Sequence, residues 1–127
     1  MSKKKQHNLI LLGEPLSTNH IYKFHCKFGF PSGYMSADGK TLKDSYVLQA
    51  KNQFKSKPLT EELSIRIKLY FSRKGKHDYD NYGKIFNDAL SGIVWKDDSQ
   101  IKKALIEVCY DKDNPRIELI VEEFINE

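Results

Sequence analysis

Leu63-Ser64-Ile65-Arg66-Ile67-Lys68-Leu69-Tyr70-Phe71 decides the fold. Apolar residues hold every odd position and polar or amphipathic ones every even position. A β-strand sends successive side chains to opposite faces, so this stretch is a strand with one buried face and one wet face. Upstream, Leu42, Tyr46, Ala50 and Phe54 recur every fourth residue from Thr41 onward and stop before Pro58, which predicts a helix. Further upstream, Asn8–Leu12 reads as a strand ended by Gly13-Glu14-Pro15. Residues Ile21–Phe30 and Tyr34–Ser36 read as a hairpin turning around Gly29–Gly33.

Downstream, Ser72–His77 is a basic connection. A second helix is expected to run to about Leu90, capped by Asp80 or Asn81 and burying Ile85, Phe86, Ala89 and Leu90. Ser91-Gly92 stops it, and Ile93-Val94-Trp95 returns the chain. Lys103–Tyr110 and Ile117–Phe124 read as two strands joined through Asp111–Pro115. The class that follows is α+β. A mixed, mostly antiparallel sheet carries about two helices on one side.

The chain has 127 residues, enough for one domain and its core but not for two. Residues 1–7 are expected to be a basic tail and 8–127 the domain. The longest apolar run, Leu9–Leu12, is too short to span a bilayer, and no signal peptide is recognisable. Cys26 and Cys109 lie far apart without a CxxC partner, which fits a reduced, cytoplasmic setting. His20, His25 and Cys26 match no common zinc spacing. Charge is uneven along the chain. Residues 1–77 hold 15 Lys and Arg against 5 Asp and Glu, while residues 78–127 hold 6 against 12. A cationic surface beside an acidic pocket suits a polyanionic substrate and a metal ion.

The acidic half opens with Asp78-Tyr79-Asp80-Asn81, continues through Lys84 and Asp88, and closes with Trp95-Lys96-Asp97-Asp98-Ser99-Gln100. Gathered carboxylates repel one another, and a bound cation relieves that repulsion. Taken singly, each has a bland role: Asp80 as a helix cap, Asp80 with Lys84 as an i,i+4 pair, Asp97 and Asp98 as solvated turn residues. Together they are a candidate hydrolytic centre, if the chain returns Asp98 to the start of the second helix. An EF-hand is excluded, because its fifth and twelfth positions would be Tyr82 and Ala89, neither of which can supply the required oxygen.

This pattern resembles the RusA-type Holliday junction resolvases. Their motif of Asp-x-Asp-Asn, a lysine four later, Asp-Ala-Leu, and Trp-x-Asp-Asp-x-Gln reads here as Asp78, Asp80-Asn81, Lys84, Asp88-Ala89-Leu90, Trp95, Asp97-Asp98 and Gln100. Pro15–Asn19 and Ser36–Lys40 match as well, so the resemblance runs from about Pro15 to the final strand. His77 stands where the family usually has a basic residue, and Leu16 replaces a common second proline.

The resemblance implies a structure-selective endodeoxyribonuclease that resolves four-way junctions by paired nicks in DNA recombination and repair. It implies Mg²⁺ (or Mn²⁺) held by Asp78, Asp80 and Asp98, with Lys84 catalytic, Asp97, His77 and Asn81 near the site, and a homodimer matching the junction's two-fold symmetry. Lys23, Lys27, Arg73, Lys74 and Lys76 are expected to contact phosphates. A broader branched-DNA or flap nuclease, or a DNA-binding module without catalysis, are the alternatives.

Overall fold

The computed structural model describes residues 6–16, 22–27, 30–35, 37–77 and 82–125, with only the backbone of 22–27, 30–35 and 83–85. Strand β1 is Gln6–Leu12, β2 Tyr22–Lys27 and β3 Phe30–Met35; helix α1 is Ala37–Gln53 and strand β4 Leu63–Phe71. Helix α2 is Gly83–Leu90, followed by a single 3₁₀ turn, Asp98–Gln100, then β5 Ile101–Tyr110 and β6 Arg116–Glu123. The main sheet has the order β1-β6-β4-β5. β6 is antiparallel to both β1 and β4, whereas β4 and β5 run parallel. The expected α+β class with a mixed, mostly antiparallel sheet is what the chain adopts.

The odd positions of β4 are all buried, as its alternation requires. Ile117, Leu119 and Val121 of β6 and Leu9 and Leu11 of β1 join them on the same face. Tyr46 and Ala50 of α1, Phe86, Ala89 and Leu90 of α2, and Val94 and Trp95 complete the core. Truncating a residue such as Ile67 to Ala would cost about 2–5 kcal/mol. No helix among the described residues is long and apolar enough to cross a membrane.

Three local expectations are corrected. The hairpin pairs Tyr22 with Met35 and Lys27 with Phe30, so Pro31-Ser32-Gly33 lie within β3 rather than in the turn. A two-stranded ribbon has an outward edge on both strands, where a proline's missing N–H goes unmissed. Helix α1 starts at Ala37, before the apolar stripe begins at Leu42. The cap of α2 is Tyr82, without a side-chain cap hydrogen bond, and not Asp80 or Asn81. Packing sets that entry instead: the buried Tyr82 ring meets Phe71 edge-on at 4.9 Å.

The two outer edges of the sheet are finished differently. Along β1, the Gln53 amide accepts from Ile10 N at 2.7 Å and donates to Ile10 O at 2.6 Å. Gln49 does the same for Leu12, at 2.7 and 3.1 Å. Gln49 also donates to Ser45 Oγ at 3.0 Å. Ser45, Gln49 and Gln53 form a polar stripe every four residues, directly beside the apolar stripe that faces the core. Helix α1 therefore acts as a surrogate neighbour for β1. Along β5 no described strand or side chain plays that part.

Candidate active site

The Trp95–Gln100 turn is tightly tied down. Gly92, at φ +91°, takes a left-handed conformation that a side chain would strain, and its N–H donates to Trp95 O at 2.6 Å. Leu59 N donates to Val94 O at 2.8 Å and Lys96 N to Leu59 O at 3.3 Å, stitching the turn to the segment before β4. Asp97 caps the 3₁₀ turn by accepting from Ser99 N at 3.0 Å and from the Ser99 hydroxyl. Gln100 completes the box, accepting from Asp97 N at 2.9 Å and donating to Leu59 O at 2.8 Å and Glu61 O at 2.9 Å. The Ser99 hydroxyl and backbone N–H hold the exposed Asp97 carboxyl below its ordinary range. Asp97 and Gln100 thus shape the turn.

Asp98 is left to do something else. Its Oδ1 accepts from Trp95 Nε1 at 2.9 Å. Trp95 is fully buried, so the indole N–H comes from a fixed ring and orients an exposed carboxylate. Among the described residues, Asp98 Oδ2 has no hydrogen-bond donor. A carboxylate oriented from behind with one oxygen open is the donor type that a hard divalent cation takes.

The other half of the motif is anchored at the far end of β4. His77 stacks on Phe71, with ring centroids 3.8 Å apart and planes within 5°. One ring nitrogen pairs with Tyr82 Oη at 3.2 Å and the other with Arg73 O at 3.2 Å. Tyr110 Oη donates to Gly75 O at 3.3 Å, tying the same connection to the end of β5. His77 and Tyr82 are therefore linked across the stretch that carries Asp78, Asp80 and Asn81. Those three lie outside the described residues, as does the side chain of Lys84, which sits in the first turn of α2. Arg73, Lys74 and Lys76 are exposed on the connection, and Lys23 and Lys27 belong to β2, where only backbone is described.

The tethers of these two halves, Gln100 and His77, stand at opposite ends of β4. Gln100 is fastened to Glu61, and Ile101 is in register with Leu63, at the start of the parallel pair. His77 is stacked on Phe71, which is in register with Tyr110, at its finish. At about 3.3 Å per residue, roughly 26 Å of strand lies between those ends. The crossover through α2 re-enters the sheet beside the beginning of β4, as a parallel pairing requires. No group of three metal-ligating side chains occurs among the described residues.

Sequence reasoning missed the parts of four residues: Trp95 as the donor that orients Asp98, Gln100 as the tie to the 59–61 segment, and Phe71 with Tyr82 as the seat of His77. Their places in the motif were visible, but their partners lie elsewhere in the chain. Among curated proteins, none matches the chain. The family described as Endodeoxyribonuclease RusA matches residues 14–122, from Glu14 to the penultimate residue of β6. That span contains the tethered Asp98 turn, the His77–Tyr82 link and the motif between them, and the chain belongs to the RusA endodeoxyribonuclease family.

Proposed function

We propose that this chain cuts four-way DNA junctions by metal-dependent phosphodiester hydrolysis, working as a homodimer that nicks two strands symmetrically during recombination or repair. The observation that carries the reading is the Asp98 carboxylate, aimed by a buried indole from a turn that four further hydrogen bonds hold still. A residue with no task beyond solvation needs no such backing. Asp78, Asp80 and Asp98 would hold Mg²⁺, or Mn²⁺, through hard oxygen donors. Such an ion lowers the pKa of a bound water and withdraws charge from the phosphate. Lys84, held cationic by neighbouring carboxylates, would stabilise the departing oxyanion, a contact worth about 3 kcal/mol. The exposed Arg73, Lys74 and Lys76, with Lys23 and Lys27, would grip the backbone without reading sequence.

Because Asp98 and the His77–Tyr82 link stand at opposite ends of the sheet, each complete site is proposed to draw on two copies. Asp78 and Asp80 would come from one, and Asp98 from the other. A C₂ dimer then carries two such sites, matching the two strands to be cut.

The test is cleavage of a synthetic four-way junction with and without Mg²⁺, compared with linear duplex and flap DNA. Paired symmetric nicks that need the metal are expected. Asp98→Asn should keep junction binding and lose cutting. Near wild-type cutting by that variant would refute the assignment, and equal cutting of flaps would favour a broader branched-DNA nuclease. Affinity should fall steeply with added salt, and a flat response would count against backbone contact.

A further inference from the structure

The basic connection that leaves β4, Ser72–His77, is tied down at Ser72, Arg73, Gly75 and His77. Glu14, just past β1, accepts from Ser72 N at 3.1 Å and from the Ser72 hydroxyl at 2.9 Å. His77 Nε2 bonds Arg73 O at 3.2 Å, and Tyr110 Oη donates to Gly75 O at 3.3 Å. A Cβ on Gly75 would stand 3.6 Å from that Nε2, so the chain folds closely over the ring. The side chains of Arg73, Lys74 and Lys76 take no part in these ties. All three residues are exposed, and no ion pair among the described residues engages them.

The His77 ring has nothing left with which to grip a phosphate. A carbonyl oxygen only accepts, so Nε2 carries the hydrogen in the bond to Arg73 O. In the neutral ring Nδ1 is then the acceptor, and Tyr82 Oη donates to it across 3.2 Å. One face of the ring lies on the buried Phe71, with 3.8 Å between centroids. A side chain that reached for DNA would keep a donor pointed at solvent. Both nitrogens of His77 point into its own chain instead.

We propose that His77 is a positioning residue: it clamps the 72–77 connection into a preformed phosphate-binding strap, from which Arg73, Lys74 and Lys76 meet the DNA backbone. The inference rests on the backbone grip proposed above and names what sets it. Long cationic side chains lose freedom when they bind. A strap that also had to order its main chain at that moment would lose more, and affinity would fall. A basic residue at position 77 would add a charge, whereas this imidazole holds the other charges in place.

The test measures binding of the full chain to a four-way junction in EDTA, where no cutting intrudes, over a range of salt concentrations. His77→Phe keeps a ring against Phe71 and removes both hydrogen bonds. Affinity should fall about tenfold at fixed salt, while the slope of log affinity against log salt stays unchanged because no phosphate contact is lost. His77→Lys should weaken binding as much despite its added charge, since one ammonium on a flexible stem cannot hold both ties and the flat contact. His77→Gln, whose amide nitrogen reaches toward Arg73 O, should recover most of the affinity. Lys74→Ala, by contrast, should reduce the slope by about 0.9.

A second arm needs no DNA. Trypsin should cut the wild type slowly after Arg73, Lys74 and Lys76, which are exposed sites on a clamped chain, and His77→Phe or Tyr110→Phe roughly tenfold faster. Tyr110→Phe removes a single hydroxyl, so its result stands even where His77→Phe does not fold. Tighter junction binding by His77→Lys, a lower salt slope in His77→Phe, or equal trypsin sensitivity of wild type and both variants would overturn the proposal. Wild-type protein that binds the junction but never nicks it with Mg²⁺ would sink the nuclease reading alone and leave the strap standing.

Discussion

The two edges of one sheet meet solvent in opposite ways. At β1, two glutamines from α1 take up the backbone groups of Ile10 and Leu12, and the sheet ends there. At β5, among the described residues, nothing closes the edge, and apolar side chains remain exposed on both faces. Two glutamines close one edge, and among the described residues none closes the other. The Asp98 turn opens directly into that same strand, so the uncovered edge and half of the candidate site are neighbours in sequence and in space.

The largest effect should come from a charge placed on the open edge. Val108→Lys is expected to abolish dimerisation and junction cutting together, while Ile10→Lys at the closed edge leaves both within twofold. Light scattering and a nicking assay check the pair, and equal sensitivity of the two edges would erase the distinction. Next comes the residue that aims Asp98. Trp95→Phe keeps most of the buried volume but removes the indole N–H, so cutting should fall about 10–100-fold with dimerisation unchanged. Rates measured at rising Mg²⁺ concentration would show whether the loss lies in metal affinity.

Opening the closed edge should have a smaller, structural effect. Gln49→Leu with Gln53→Leu removes the partners of four backbone groups and should lower stability by about 2–4 kcal/mol, since each such hydrogen bond is worth roughly 1 kcal/mol. Denaturant titration checks this, and self-association of the variant through β1 would sharpen the contrast.

The smallest effect concerns pH. The Arg116 guanidinium beside Asp111, at 2.7 Å, holds that exposed carboxyl below its ordinary range. A group whose pKa is depressed by folding stabilises the native state above its unfolded pKa, and that contribution fades as pH falls toward the folded value. Asp111→Asn should therefore lower the neutral plateau slightly, leave stability at the acid end almost unchanged, and so flatten the acid side of the curve measured by denaturant titration.

Much of the fold was legible because it rests on periodicity. The alternation in β4 and the four-residue stripe of α1 fixed two elements and their buried faces. The motif's residue types pointed to the right family over most of the chain. What sequence did not convey was long-range pairing. Whether β5 runs parallel or antiparallel to β4 is written in no local pattern, yet that alone decides which end of the sheet receives Asp98. An antiparallel β5 would have started beside Phe71 and His77. The parallel one starts beside Leu63. Gln49 and Gln53 were equally opaque, because a glutamine one position off an apolar stripe reads as ordinary surface until its strand partner, about forty residues away in the chain, is seen. Pro31 and Gly33 misled for the opposite reason, being turn formers by habit that a two-stranded ribbon tolerates within a strand.

Subunit mixing tests the shared site most directly. Asp98→Asn and Asp78→Asn chains, each inactive alone, are combined, allowed to exchange and assayed on a four-way junction with Mg²⁺. If each site takes Asp78 from one copy and Asp98 from the other, the mixed dimer regains one intact site and makes single nicks. A mixture as inactive as its parents, despite demonstrated exchange, would contradict the account.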